Sequence, residues 1–214
     1  AEDGIRDDLV TGVQTCALPI LVVIENADDA VRLAETLLSA GIKTMEITLR
    51  TPGALDAIEA VARALPDVVL GAGSIRSPGQ LGNALDAGAR FCVSPGFSEG
   101  ILTEARLRKA LLIPGAATAV EIMQLVDQDY DFVKFFPAEL SGGVAMLKAL
   151  SAPLPEVRFF PTGGINPDLA ADYLALPSVV CVGGSWFVPP DKIREGDFGW
   201  IHQQSIELMA RLNG

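Results

Sequence analysis

From residue 19 onward, short runs of β-branched and aromatic residues alternate with longer stretches whose apolar positions recur at helical spacing. The runs at 20–24, 44–49, 68–70, 91–93, 111–113, 132–136, 157–160 and 179–182 predict eight strands. Between them, ADDAVRLAETLLSA (27–40) puts Ala30, Val31, Leu33, Ala34, Leu37 and Leu38 on one helical face, and PGALDAIEAVARAL (52–65) reads the same way. A last helix is predicted over 199–212. Two junctions echo each other, SAGIKTMEI from Ser39 and DAGARFCVS from Asp86. In each, a glycine stops a helix and a strand starts three residues later. Repeated units of this kind predict an α/β protein with a parallel sheet. Eight of them in a chain this short point to a (β/α)₈ TIM barrel, a single domain over residues 19–214. A doubly wound open sheet is the alternative, but it ordinarily carries a Gly-x-Gly-x-x-Gly turn after its first strand, and none stands there.

In parallel α/β folds, function collects at the carboxyl ends of the strands. Those ends carry MEITLR (45–50), GAGS (71–74), SPG (94–96), KFFPAE (134–139), PTGG (161–164) and GGSW (183–186). Strand alternation sharpens the first cluster. Glu46, Thr48 and Arg50 share one parity and Met45, Ile47 and Leu49 the other, so the polar set points into the barrel. A buried ion pair would explain a Glu and an Arg there, as would a site. Lys134 lies between Phe132-Val133 and Phe135-Phe136. Desolvation would lower its pKa and leave a neutral amine able to attack a carbonyl. The other reading is a lysine that buries its stem and carries its charge to the surface. Spacing alone leaves both open, and Glu46 on another strand end adds weight to the first. Gly163-Gly164 and Gly183-Gly184 follow adjacent strands, the first pair followed by Asn166 as N-cap and Pro167 at the first helical position. Glycine pairs expose backbone N–H groups, and a helix start adds a favourable dipole, which predicts a phosphorylated ligand.

Composition narrows the chemistry. Half of the residues are apolar and 20% are charged, as in a globular protein with a large interior. The net charge of −11 argues against nucleic acid or an anionic membrane as a partner. The longest apolar run, 16–24, is too short to cross a bilayer and no export signal is recognisable, which predicts a soluble, cytoplasmic protein. Cys16, Cys92 and Cys181 are odd in number and widely spaced, so a disulfide framework is not expected. His202 is the single histidine, which excludes His-dependent triads and metal sites needing two histidines. The remaining chemistry belongs to lysine, carboxylates, hydroxyls and backbone.

MEITLRTP (45–52), GAGS, SPG, IPG (113–115), FVKFFPAE (132–139), FFPTGGINP (159–167) and VGGSWFVP (182–189) together resemble the 2-keto-3-deoxy-6-phosphogluconate (KDPG) aldolase / 4-hydroxy-2-oxoglutarate aldolase family. The resemblance runs in order from Pro19 to the C-terminus. It implies a homotrimer of barrels and a class I aldol cleavage that uses no cofactor and no metal. It also implies Lys134 as the Schiff-base lysine, Glu46 as general acid/base and Arg50 as the ligand of the pyruvyl carboxylate. Ser74 and Thr162 would contribute hydroxyls to substrate binding, with phosphate contacts from Gly163, Gly164, Gly184 and Ser185. Ser74 stands where the family commonly has threonine, and Arg76 beside it is unusual. Residues 1–18 (AEDGIRDDLVTGVQTCAL) depart from the pattern. They lack the apolar stripe of the family's first helix, and GVQTCALPI reads like translated adapter DNA, so this segment is treated as atypical and non-native. Rival readings on the same scaffold are a phosphate-binding isomerase or synthase and a non-catalytic sugar-phosphate binder.

Overall fold

The computed structural model describes residues 20–213, so the atypical segment 1–18 and Cys16 lie outside the described residues. Strands β1 (Ile20–Val22), β2 (Thr44–Thr48), β3 (Val69–Gly73), β4 (Phe91–Val93) and β5 (Leu112–Ile113) pair in sequence order, every pair parallel. Strands β6 (Gly115–Ala116), β7 (Phe132–Phe135) and β8 (Arg158–Pro161) form a second parallel set. One predicted strand, 111–113, is thus the first half of a longer run broken at Pro114, which has no N–H to give to a ladder. Its carbonyl still accepts from the Lys134 N–H at 2.9 Å, so the sheet carries on across the break. The strand predicted over 179–182 is not a regular ladder. Its stretch is tied to β8 by isolated parallel bridges at Phe159–Val179 and Thr162–Gly183, and to β1 by a bridge at Ile20–Gly184.

The helices α1 (Ala27–Ser39), α2 (Ala54–Ala64), α3 (Pro78–Asp86), α4 (Glu99–Leu107), α5 (Ala119–Val126), α6 (Gly143–Ser151) and α7 (Pro167–Leu174) follow the strands, with α8 (Pro190–Arg194) and α9 (Phe198–Asn213) last. This is the (β/α)₈ order that the alternation predicts. Side-chain caps start most of these helices: Asn26 on α1, Ser77 on α3, Ser98 on α4, Thr118 on α5 and Asn166 on α7 each accept from a first-turn N–H. Gly41 and Gly88, at φ +87° and +105°, supply the left-handed turns that lead into β2 and β4.

Two apolar layers result. The larger lies between strands and helices and holds Val22, Met45, Ile47, Leu70, Ala72, Cys92, Val133 and Phe159 with the buried helix faces. The smaller, Phe91, Val93, Ile113, Phe132, Phe160 and Cys181, is the opposite-parity set of the same strands and fills the inside of the barrel. Glu46 and Lys134 share that inward parity, one step further toward the carboxyl ends than the residues they follow.

Candidate active site

All five residues of β2 are buried, and its inward members are Thr44, Glu46 and Thr48. Burying a carboxylate at the centre of a strand requires space on the neighbour. The register sets Glu46 beside Gly71 and Thr48 beside Gly73, and a Cβ at Gly73 would overlap the Glu46 carboxylate. A Cβ at Gly71 would overlap the ring of Phe91. The glycines of GAGS, which in sequence look like turn residues, are strand residues that make room for Glu46 and for the barrel core. The strand predicted over 68–70 therefore runs on to Gly73.

Lys134 is 4% exposed on β7, between Gly115 and Phe160 in register. Its Nζ lies 3.9 Å from Glu46 Oε1, 5.3 Å from the centre of the Phe136 ring and 5.9 Å from that of Phe160. The buried-lysine reading is the one the structure takes. Burial lowers the Lys134 pKa, against the raising pull of Glu46, and the positive charge of Arg50 lowers it further. Burial raises that of Glu46, opposed by Lys134 and then Arg50. Each charge is stripped of water, and 3.9 Å is too far for a hydrogen bond to compensate. Both oxygens of Glu46, and Thr162 Oγ1, are buried without a hydrogen-bond partner among the described residues. Orphaned buried polar atoms are rare and costly, so three at these strand ends single this region out as the candidate site.

Arg50 follows β2, and its Nε donates to Ser74 Oγ at 2.9 Å. Ser74 has φ +59°, an uncommon conformation for a residue with a Cβ. Its neighbour holds it there: the Ile75 N–H donates to the Val93 carbonyl at 3.1 Å, and Ser94 Oγ donates to the Ile75 carbonyl at 2.7 Å. Ser94 is a residue whose part the sequence reading did not foresee. SPG showed a polar strand end, but that its hydroxyl braces the Ser74 turn from the next strand was not legible. Arg76 is exposed, and its N–H donates to Gln80 Oε1 at 2.8 Å.

Thr162 is 1% exposed, and its N–H donates to the Phe135 carbonyl, which joins it to the lysine strand. Gly163 and Gly164 follow at φ +98° and +81°, and Asn166 Oδ1 then caps α7 by accepting from both the Asp168 and Leu169 N–H groups at 3.0 Å. Gly184 packs so close to Trp186 that a Cβ would overlap the indole, and Ser185 is exposed beside it. The two glycine turns thus stand on neighbouring strand ends, bridged at Thr162–Gly183. Cys92 and Cys181 are buried thiols, and burial with the nearby charge of Glu46 pushes Cys92 up to about 12, so it stays a protonated core residue. Among the described residues no cluster of three or more His, Cys, Asp or Glu side chains could hold a metal ion, and no helix is long and apolar enough to cross a membrane.

A parallel (β/α)₈ barrel with a dehydrated lysine facing a glutamate at its strand ends is the architecture of a class I aldolase. Comparison with known proteins makes this specific. The sequence pattern of KDPG and KHG aldolases matches residues 12–204. The KHG/KDPG aldolase of Escherichia coli K12 is 45% identical over 189 residues, which are 88% of this chain and 89% of that one. Among solved structures, the KDPG aldolase of Legionella pneumophila, with pyruvate captured as a covalent carbinolamine, superposes with a TM-score of 0.88 at 42% identity, covering 92% of this chain and 97% of its own. The KDPG aldolase of Zymomonas mobilis with 3-phosphoglycerate gives 0.86 at 40% identity, covering 94% of both. The chain belongs to the KDPG and KHG aldolase family and is a carbon–carbon lyase.

Proposed function

We propose that this protein cleaves KDPG to pyruvate and glyceraldehyde 3-phosphate through an imine on Lys134, and 4-hydroxy-2-oxoglutarate to pyruvate and glyoxylate by the same route. The observation that carries this reading is the buried pair of Lys134 Nζ and Glu46 Oε1 at 3.9 Å. Neutral Lys134 adds to the C2 carbonyl, and Glu46 supplies the protons that expel water and leave an iminium. The iminium draws electrons from the C3–C4 bond as Glu46, directly or through water, takes the proton of the C4 hydroxyl. The aldehyde departs, the enamine is protonated at C3, and water releases pyruvate and restores the amine. Arg50, aimed by Ser74, would hold the substrate carboxylate with a planar fork that a lysine matches poorly. Thr162 Oγ1 would bind at the pyruvyl end. The turns at Gly163-Gly164 and Gly184-Ser185 would receive the phosphate, with α7 starting just behind the first.

Homologues named for KDPG and for KHG/KDPG support this substrate class. A cytoplasmic homotrimer is part of the proposal, and the exposed apolar side chains of Val120 and Met123 on α5, with Leu140 beyond β7, offer surface for contacts between copies. Pyruvate release from KDPG, its galactonate epimer and 4-hydroxy-2-oxoglutarate tests the function directly. Borohydride reduction in the presence of pyruvate should fix a three-carbon adduct on Lys134. An adduct on another lysine, or release of pyruvate from none of the three, would overturn the reading.

A further inference from the structure

Glu139 ends the KFFPAE segment that starts at Lys134, and the proposed mechanism gives it no role. Its backbone N–H donates to the Gly163 carbonyl at 3.2 Å, and the N–H of Ala138 donates to Thr162 at 2.8 Å. The loop after β7 is therefore laid against the glycine turn after β8. The Glu139 side chain has two environments. Its stem lies on Gly164, where an added Cβ would come 2.8 Å from Glu139 Cβ and 3.0 Å from Cγ, with neither carboxylate oxygen within 4 Å. Its head turns the other way. Oε1 lies 3.3 Å from the Cβ position of Gly143, in the first turn of α6, and accepts from the Tyr173 hydroxyl at 2.5 Å. Tyr173 is 0% exposed on α7, so its hydroxyl is a fixed point. Burial, then the bond to Glu139, drives its phenol pKa upward, which keeps it a donor.

A carboxylate whose stem touches the turn proposed to bind a dianion is a hazard, because a rotation of its side-chain torsions would bring its charge onto that turn. We infer that Tyr173 holds the Glu139 carboxylate off the Gly163-Gly164 turn, and that this bond keeps the turn receptive to a phosphorylated substrate. Tyr173 and Glu139 are positioning residues for substrate choice and touch neither the reacting carbons nor Lys134. The inference rests on the proposed position of the phosphate.

The test uses Tyr173→Phe, Glu139→Gln and the double variant, with KDPG and 4-hydroxy-2-oxoglutarate as substrates and inorganic phosphate as competitor. Tyr173→Phe should lower kcat/KM for KDPG about tenfold or more, mostly through KM, because a freed carboxylate approaches the dianion. That loss should shrink in high salt. Cleavage of 4-hydroxy-2-oxoglutarate should stay within about twofold, since no phosphate meets the charge. Glu139→Gln alone keeps an acceptor for Tyr173 and should bind KDPG and inorganic phosphate at least as well as the wild type. Adding it to Tyr173→Phe should restore KDPG cleavage, which a general packing defect would not allow. Equal losses on both substrates, no loss on KDPG, or a double variant as impaired as Tyr173→Phe would each overturn the inference. A wild-type enzyme insensitive to inorganic phosphate and indifferent to the substrate's phosphate overturns the underlying phosphate position, a result seen before any variant is made.

Discussion

The proposed chemistry turns on two charges that the fold deprives of water. Lys134 and Glu46 are each displaced from their ordinary pKa toward neutrality, the lysine downward and the glutamate upward, with burial the leading cause for both. A lowered lysine pKa means that the nucleophilic free amine is populated at lower pH than in a solvated lysine. Imine formation should therefore persist into a pH range where an ordinary lysine is fully protonated. Glu46→Gln keeps the shape of the side chain and removes its proton transfer, so kcat should fall by about 10²–10⁴-fold. The same variant leaves the amine in place, so borohydride should still trap some pyruvate on Lys134. Wild-type turnover in Glu46→Gln would remove Glu46 from the mechanism. At this scale the sequence was informative because residue type and parity are local: a lysine among phenylalanines and a glutamate on the inward parity of β2 can be read directly. That the two lie 3.9 Å apart depends on strands that are not neighbours in the sheet.

Local signals also set the elements. The α5 start carries a reciprocal capping box: Thr118 accepts from the Glu121 N–H, and Glu121 Oε2 accepts from the N–H groups of Ala117 and Thr118, each at 2.9 Å. Those bonds, the Ala117 one first, hold the Glu121 carboxyl below its ordinary range. A depressed folded pKa contributes stability that is present above the unfolded value and is lost as pH falls through the folded one. Glu121→Gln should accordingly lower Tm at neutral pH and flatten the acid limb of a Tm-against-pH curve. An acid limb identical to the wild type would deny the box any part in stability. The strands were only partly legible. In β3 the pattern of apolar residues ends at Leu70, yet the ladder continues through glycines whose missing side chains accommodate Glu46 and Phe91. At Pro114 one strand divides, and over 179–184 the chain makes bridges in place of a ladder. Hydrophobic periodicity reports which faces are buried and not which backbone groups find partners.

For the whole molecule, a lysine-based mechanism makes a definite prediction about metals. Prolonged EDTA treatment should leave kcat/KM for KDPG unchanged, because the proposed electron sink is an iminium on Lys134 and needs no metal-polarised carbonyl. Activity lost to the chelator and regained with a divalent ion would require a different mechanism and a new role for Glu46. The sequence by itself determined the α/β alternation, the helix cap at Asn166, the inward parity of Glu46, and the glycine turns after the last strands. These follow from periods of two and 3.6 residues and from the φ freedom of glycine, all properties of short segments. The tertiary structure alone decided what those segments do to one another. Only the arrangement of the strands in space brings Glu46 to Lys134 and removes water from both, so their displaced pKa values have no counterpart in the unfolded chain. Ser94 bracing the Ser74 turn from the next strand, and Tyr173 reaching Glu139 from α7, are pairings between residues far apart in sequence. Such contacts leave no periodic trace, because they depend on where strands and helices lie in space and not on the local pattern that forms them.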